Sequence, residues 1–521
     1  MYRQQHLKSS IFGNEERNEA PRNVAAMQAP QAEEGQQQLI EMDHSIGYNG
    51  TYPDTVKFHP TMENTLIYNI GGLLVIENLM NKHNQEFLRG HDMEISAIAV
   101  SNSGNIIATG QKGTVFQRTP DAPIILWNMQ TKKPMAVLRG VQDQVLKLQF
   151  SPDDKFLACI GANNTFIIWK TQDGQAIHTR CTETPFSVLK WGEMDTAVNP
   201  KHPTYTLVTA NTNQVTINKL QFDISSMQYF LSSDNCQLPN TGLVRNYNFG
   251  IVNGDMLLCG TTAGEICVFS ISQKLYRASM PLTQNGIICG CVHGESIFIG
   301  GGDGKVKKVA MTGGQWTLTH EAQLDSRVMS INLSNDKNEI ICGTVGGKLY
   351  RVLTNDLSFL LHSDAHTATI NDVAFGTDSN MFVTVDETGA LKHWDLSEYK
   401  CQFTGFPTRQ AAASRVAFAK DDNTVLVGYR DGFLRCFDTI TAQAQLWDVS
   451  QAHRGAITAI YADQNYILTG GQDGAVRVWN RRTRQLLIQF NGKTLLFSYL
   501  MIGVFQFFKF RPKEGYRCSL P

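Results

Sequence analysis

One interval constrains this chain more than any other property. Short apolar strands that follow glycine-containing turns end about every 42 residues. The ends fall at Asn78 in GGLLVIEN, Asn128 in APIILWN, Trp169 in NNTFIIW, Asn218 in NQVTIN and Phe269 in GEICVF. They continue at Val309 in GKVKKV, Val352 in GKLYRV, Trp394 in GALKHW, Phe437 in GFLRCF and Trp479 in GAVRVW. The last three intervals are 42, 43 and 42 residues, and earlier ones reach 51, as where loops such as KGTVFQRTPDAP (112–123) are longer. The runs are rich in Val, Ile, Phe and Thr and show no long 3.6-residue periodicity, so the pattern is all-β. A unit of this size is one four-stranded antiparallel sheet, which buries its faces only against its neighbours.

Ten such units predict β-propellers in tandem. Seven blades close well at this repeat length, which assigns 43–357 to a seven-bladed propeller. Three further blades at 358–488 make a partial second propeller, since a second ring of seven needs on the order of 160 more residues. Such a remnant is expected to expose apolar faces and an unclosed edge. Residues 1–42 are rich in Gln, Asn, Glu and Ala, and read as a disordered Gln-rich arm that cannot bury enough apolar surface to offset its ordering entropy. At 489–521 the repeat stops and an apolar tail follows, with Leu495 to Phe508 almost unbroken between Lys493 and Lys509. That stretch is short of the roughly 20 residues of a membrane helix. The array is read as cut off and followed by unrelated sequence, with a tail anchor as the alternative. No membrane partner is expected, the segment 495–508 being the only reservation.

Charge and cysteine content narrow the function. Forty-six Lys and Arg against 47 Asp and Glu leave a formal charge of −1, which argues against nucleic acid as the main partner. The local basic runs KVKKV (305–309) and NRRTR (480–484) read as solvated strand or loop faces. Eleven scattered cysteines in apolar runs fit a reducing compartment better than a disulfide framework, and CGC at 289–291 lacks zinc-site spacing. The N-terminus has no apolar signal core, so the acceptor patterns at Asn49 and Asn163 carry no meaning.

Motifs for chemistry are absent. GGGDGKV (300–306) has Ile299 where a phosphate loop needs its first glycine and Val306 where it needs a hydroxyl. GTVGGKL (343–349) fails in the same way at Cys342 and Leu349. Both fit hairpin turns. His362 and His366 are four apart, but they lead into a strand, and His366 fits a blade position. No nucleophile elbow or zinc-protease motif occurs. No enzyme site, cofactor or metal is expected.

The stretch QAHRGAITAIYADQNYILTGGQDGAVRVWN (451–480) resembles the WD-repeat family. In that family a His, a Ser or Thr, a turn Asp and a Trp form a buried hydrogen-bond network. The resemblance implies that His453, Thr469, Asp473 and Trp479 play these parts here. The eighth blade keeps His366, Thr384 and Trp394 but puts Thr388 where the turn Asp belongs. The second has His91, Thr109 and Trp127 around its long loop. Other blades carry Phe, Val or Asn for the Trp and are held by apolar stacking.

More particular stretches are HSIGYNGTYPDTVKFHP (44–60), FLRGHDMEISAIAVSNSGNIIATGQ (87–111) and IILWNMQTKKPMAVLRG (124–140), with LQFSPDDKFLACIG (148–161) and QAHRGAITAI (451–460). In order, they resemble the WD-repeat cilia- and flagella-associated protein 52 family. The resemblance implies a structural protein of motile cilia, inside the B-tubule of the axonemal doublet, with tubulin and other microtubule inner proteins as partners. The implied location is the cilium or flagellum axoneme, within cytoplasm and cytoskeleton. A soluble WD-repeat adaptor, such as a ubiquitin-ligase substrate receptor or trafficking scaffold, and a propeller enzyme are the rival readings.

Overall fold

A computed structural model describes residues 42–491, apart from 115–119, 198, 239–243, 313–314, 378–379, 421–422 and 440–444. The Gln-rich arm before residue 42 and the apolar stretch 495–508 lie outside the described residues. Among the described residues there is no helix, and every strand belongs to one of ten four-stranded antiparallel sheets in simple chain order. Sheets 1 to 5 span 56–88, 95–138, 145–181, 188–235 and 247–281. Sheets 6 to 10 span 287–323, 328–363, 370–405, 413–449 and 457–491.

All ten strand ends of the sequence recurrence lie in the third strand of a sheet, from Leu73–Asn78 in sheet 1 to Ala475–Asn480 in sheet 10. The reason is burial. The two middle strands of a sheet with neighbours on both sides are covered on both faces, so they read as continuous apolar runs: Phe156–Gly161 (FLACIG) is buried at every position, whereas Ala475–Asn480 of sheet 10, beside sheet 9 alone, is largely half-buried. The outer strands face water and lose the pattern, as in Gln228–Asn235. The last outer strand, Leu486–Asn491, runs three residues into the segment assigned from sequence to the tail.

The inner strands of sheets 1 to 7 pack against one another in chain order. That of sheet 1, Val56–Phe58, also packs against Val328–Leu333 and Glu339–Thr344 of sheet 7. The segment IGYNG makes this seam. Tyr48 is buried and its hydroxyl lies 3.1 Å from both Ser330 Oγ and Thr55 Oγ1. The Thr55 amide donates to Ser330 Oγ at 3.0 Å, Asp54 N–H to Met329 O at 3.0 Å, and Phe58 N–H to Asn332 Oδ1 at 2.8 Å. Asn335 Nδ2 donates to His59 O at 2.9 Å. Gly50 lies so close that a Cβ would stand 1.9 Å from Thr344 O.

Sheets 8 to 10 also pack in order. Ile370 (53 %) and Phe375 (60 %) are exposed on the inner strand of sheet 8, and Phe490 (49 %) on the outer strand of sheet 10. The joint with the first seven sheets is polar and aromatic. His44 stacks on Tyr399 at 3.6 Å, and the Tyr399 hydroxyl donates to Asp43 Oδ2 at 3.2 Å; Glu77, which accepts from Tyr68 at 2.8 Å and lies 3.3 Å from His362, belongs instead to the contact between sheets 1 and 7.

Candidate functional site

Three sheets carry one construction. In sheet 2, Trp127 Nε1–H donates to Thr109 Oγ1 at 2.7 Å, and His91 Nε2 lies 2.6 Å from the same hydroxyl. In sheet 8 the Trp394–Thr384 and His366–Thr384 distances are 2.7 and 2.6 Å. In sheet 10 Trp479–Thr469 is 2.9 Å and His453–Thr469 is 2.8 Å. An indole can only donate, so the threonine oxygen accepts from it and its own proton turns to the imidazole Nε2. A neutral imidazole that accepts this proton at Nε2 carries its own at Nδ1 and donates it outward. Trp127 and Thr109 are almost wholly buried, so each donor left without a partner is costly.

What receives the Nδ1 proton differs between sheets. In sheet 10 Nδ1 lies 2.9 Å from Asp473 Oδ1 and also 2.7 Å from Arg477 Nη1, which donates to Asp473 Oδ2 at 2.8 Å. Burial pushes the Asp473 carboxyl up, but hydrogen bonds from the Arg454 amide, His453 and Arg477 outweigh it and hold the group well below the usual carboxylate range. In sheet 8 the acceptor is Asp386 Oδ2 at 2.7 Å. Thr388, assigned from sequence to the acid's place, instead donates its hydroxyl to Asp386 Oδ1 at 2.6 Å. In sheet 2 the acceptor is Gln111 Oε1 at 2.7 Å, and Gln111 Nε2 in turn donates to Asp92. Burial lowers the imidazoles of His91 and His453 below their ordinary range, which keeps the neutral tautomer.

The difference has a steric rule. Gln111 and Asp386 both stand two residues after the threonine, whereas Asp473 stands four after Thr469. At the +2 position sheet 10 has Gly471, where a Cβ would fall 2.0 Å from His453 Nδ1. A side chain at +2 fills the imidazole's outer side itself; a glycine there leaves room for the turn aspartate. Asp386→Ala is therefore expected to destabilise sheet 8 by about 2–3 kcal/mol, and Thr388→Ala by under about 1 kcal/mol. Urea unfolding with hydrogen exchange at 370–405 checks the order, and equal costs would refute it.

Sequence reading missed a second set of residues, which tie four of the sheets to the one that follows. They sit at a bulge near the start of the inner strand. Ser96 Oγ donates to Val145 O at 2.7 Å, Asn371 Nδ2 to Ala413 O at 2.7 Å, and Ser414 Oγ to Ile457 O at 2.6 Å. Ser187 donates likewise to Tyr247 O. The signal was present as a small polar residue near the start of these four inner runs, but it looks like ordinary strand alternation.

Other sequence candidates disperse. His362 pairs with Glu77 while His366 serves sheet 8, so the two do not share a ligand position. Lys308 of KVKKV donates to Thr354 O at 2.8 Å, Lys305 pairs with Glu321 at 3.0 Å, and Arg481 of NRRTR donates to Asp463 O at 3.3 Å. Gly301 and Lys305 bracket a hairpin turn, as do Thr344 and Leu349. All ten described cysteines are free thiols. Among the described residues no three metal-ligating side chains cluster, and no helix is long and apolar enough to cross a membrane.

A family profile of the WD domain, G-beta repeat, matches 82–117, 132–170, 358–395 and 445–480. Each match opens on the outer strand of one sheet and runs into the next, so the sequence unit and the sheet are out of phase. Similar curated proteins include cilia- and flagella-associated protein 52 of Bos taurus, 26% identical over 466 residues, covering 87% of this chain and 71% of that one. The protein of that name from Chlamydomonas reinhardtii is 28% identical over 437 residues, covering 81% and 66%. Human WD repeat-containing protein 90 is 22% identical over 460 residues, covering 83% of this chain and 25% of its own length.

Proposed function

Because the chain belongs to the WD-repeat cilia- and flagella-associated protein 52 family, we propose that it is a non-catalytic structural scaffold of motile cilia and flagella. It is a cilium-associated WD-repeat protein. In the finer reading it binds the lumenal side of the axonemal doublet at the B-tubule, contacts tubulin and other microtubule inner proteins, and stabilises the doublet. The observation that carries this reading is the collinear similarity to proteins named for cilia and flagella over more than four-fifths of the chain, from algae to mammals. Ten rigid sheets and near-zero net charge suit a part that makes many distributed contacts rather than one steered encounter. We place the division between a closed unit at 43–357 and a partial one at 358–488, a placement supported by the Tyr48–Ser330 seam.

Axoneme fractionation tests the assignment. After extraction with high salt the protein is expected to remain with the doublets. Recovery in the cytosolic or membrane-matrix fraction, absent from stripped doublets, would overturn the scaffold reading and favour a soluble adaptor.

A further inference from the structure

The inner strands of sheets 1 to 7 enclose a channel whose charge the scaffold role does not use. Lys147 (on Val145–Phe150 of sheet 3) and Lys190 (on Val188–Asp195 of sheet 4) line one cavity with Asp54, Ser187, Asn248 and Cys289. Its volume, with its open mouth, is about 380 Å³. Asp54 is paired with Lys57 of the neighbouring strand. No carboxylate lies within ion-pair distance of Lys147 or Lys190 among the described residues. The Asn248 carboxamide oxygen is buried there without a hydrogen-bond partner. Asp54 is thus the one carboxylate among the residues lining the cavity, and it is held by Lys57.

We propose that Lys147 and Lys190, with Asn248, form a binding site for a small multivalent oxyanion of the phosphate class. Two half-buried cations with no carboxylate in ion-pair contact repel one another in the channel, and an oxyanion beside them reduces that repulsion. A turn of the Asn248 amide presents its NH₂ to the same anion. Burial lowers the Lys190 ammonium to about 8, with Lys57 and Lys147 adding to the effect and Asp54 opposing it. Lys147 is lowered by the same burial. The remaining titratable group facing the lysines is Cys289, whose thiol burial pushes up, so it stays neutral.

The test is thermal unfolding of the full chain in phosphate against chloride at equal ionic strength. At pH 7.5 phosphate and sulfate are expected to raise Tm saturably, with acetate ineffective. Lys147→Met with Lys190→Met should abolish the rise, while the surface variant Lys305→Met keeps it. In the wild type the apparent phosphate affinity should fall about tenfold from pH 7.5 to 9.5, as Lys190 loses its proton. An equal rise in the double variant, acetate matching phosphate, or affinity independent of pH overturns the proposal. Should the double variant fail to fold by circular dichroism, the wild-type pH comparison decides alone.

Discussion

Gly50→Ala is expected to unfold the first seven sheets at markedly lower urea, a loss of about 3 kcal/mol. The added Cβ would sit 1.9 Å from Thr344 O and 3.0 Å from Val345 Cα, and both are backbone atoms of sheet 7. Backbone within a packed sheet cannot swing aside as a side-chain end can, so the strain is relieved only by parting sheet 1 from sheet 7. The damage should therefore be local before it is global. Amides of Asp54, Thr55 and Phe58, which donate across the seam, should lose hydrogen-exchange protection first. Gly71→Ala supplies the control: it has a positive φ of 58° but nothing within 4 Å of the new Cβ. Its cost should be about 1 kcal/mol, from backbone strain alone. Equal effects at the two glycines, or unchanged exchange at 54–58, would show that this contact does not hold the ring.

Thr109→Val should cost about 2–5 kcal/mol although it preserves side-chain volume. The hydroxyl is the hub on which Trp127 Nε1–H and His91 Nε2 meet, at 2.7 and 2.6 Å. Valine leaves one buried donor and one buried acceptor unmatched where water has no access. Thr109→Ser keeps the oxygen and should retain most of the stability. Combining Thr109→Val with Trp127→Phe removes one of the orphans, so the double variant should lose less than the sum of the singles. Urea midpoints for the four proteins check this. A Thr109→Val protein within about 0.5 kcal/mol of wild type would mean that apolar stacking, not the network, fixes the sheet.

How much was legible beforehand follows from the range of each interaction. The Thr and Trp positions could be read because they recur at a fixed offset within one repeat, Thr384 to Trp394 and Thr469 to Trp479 both being ten residues, with the His 16 or 18 residues before the Thr. Thr109 and Trp127 kept their roles across a longer loop because the loop lies beyond the strands that place them. The acid was less legible. Thr388 stood at the expected offset, but Asp386, two residues earlier, had the shorter path to His366. Gln111 relaying to Asp92 could not be foreseen from a pattern defined by an acid. The serines and asparagines that bridge sheets, and Lys147 and Lys190 in one cavity, join residues from different repeats that no single repeat contains.

The sequence by itself determined the unit: the length of the repeat, four strands to a sheet, and the buried middle pair. Alternation and turn chemistry act over a few residues, so they are written locally. The tertiary structure decided which distant sheets meet. Successive sheets pack in order until Tyr48 and Thr55, just before sheet 1, meet Ser330 of sheet 7, more than 270 residues away. No local rule carries that distance; only the assembled ring brings those side chains within hydrogen-bonding reach.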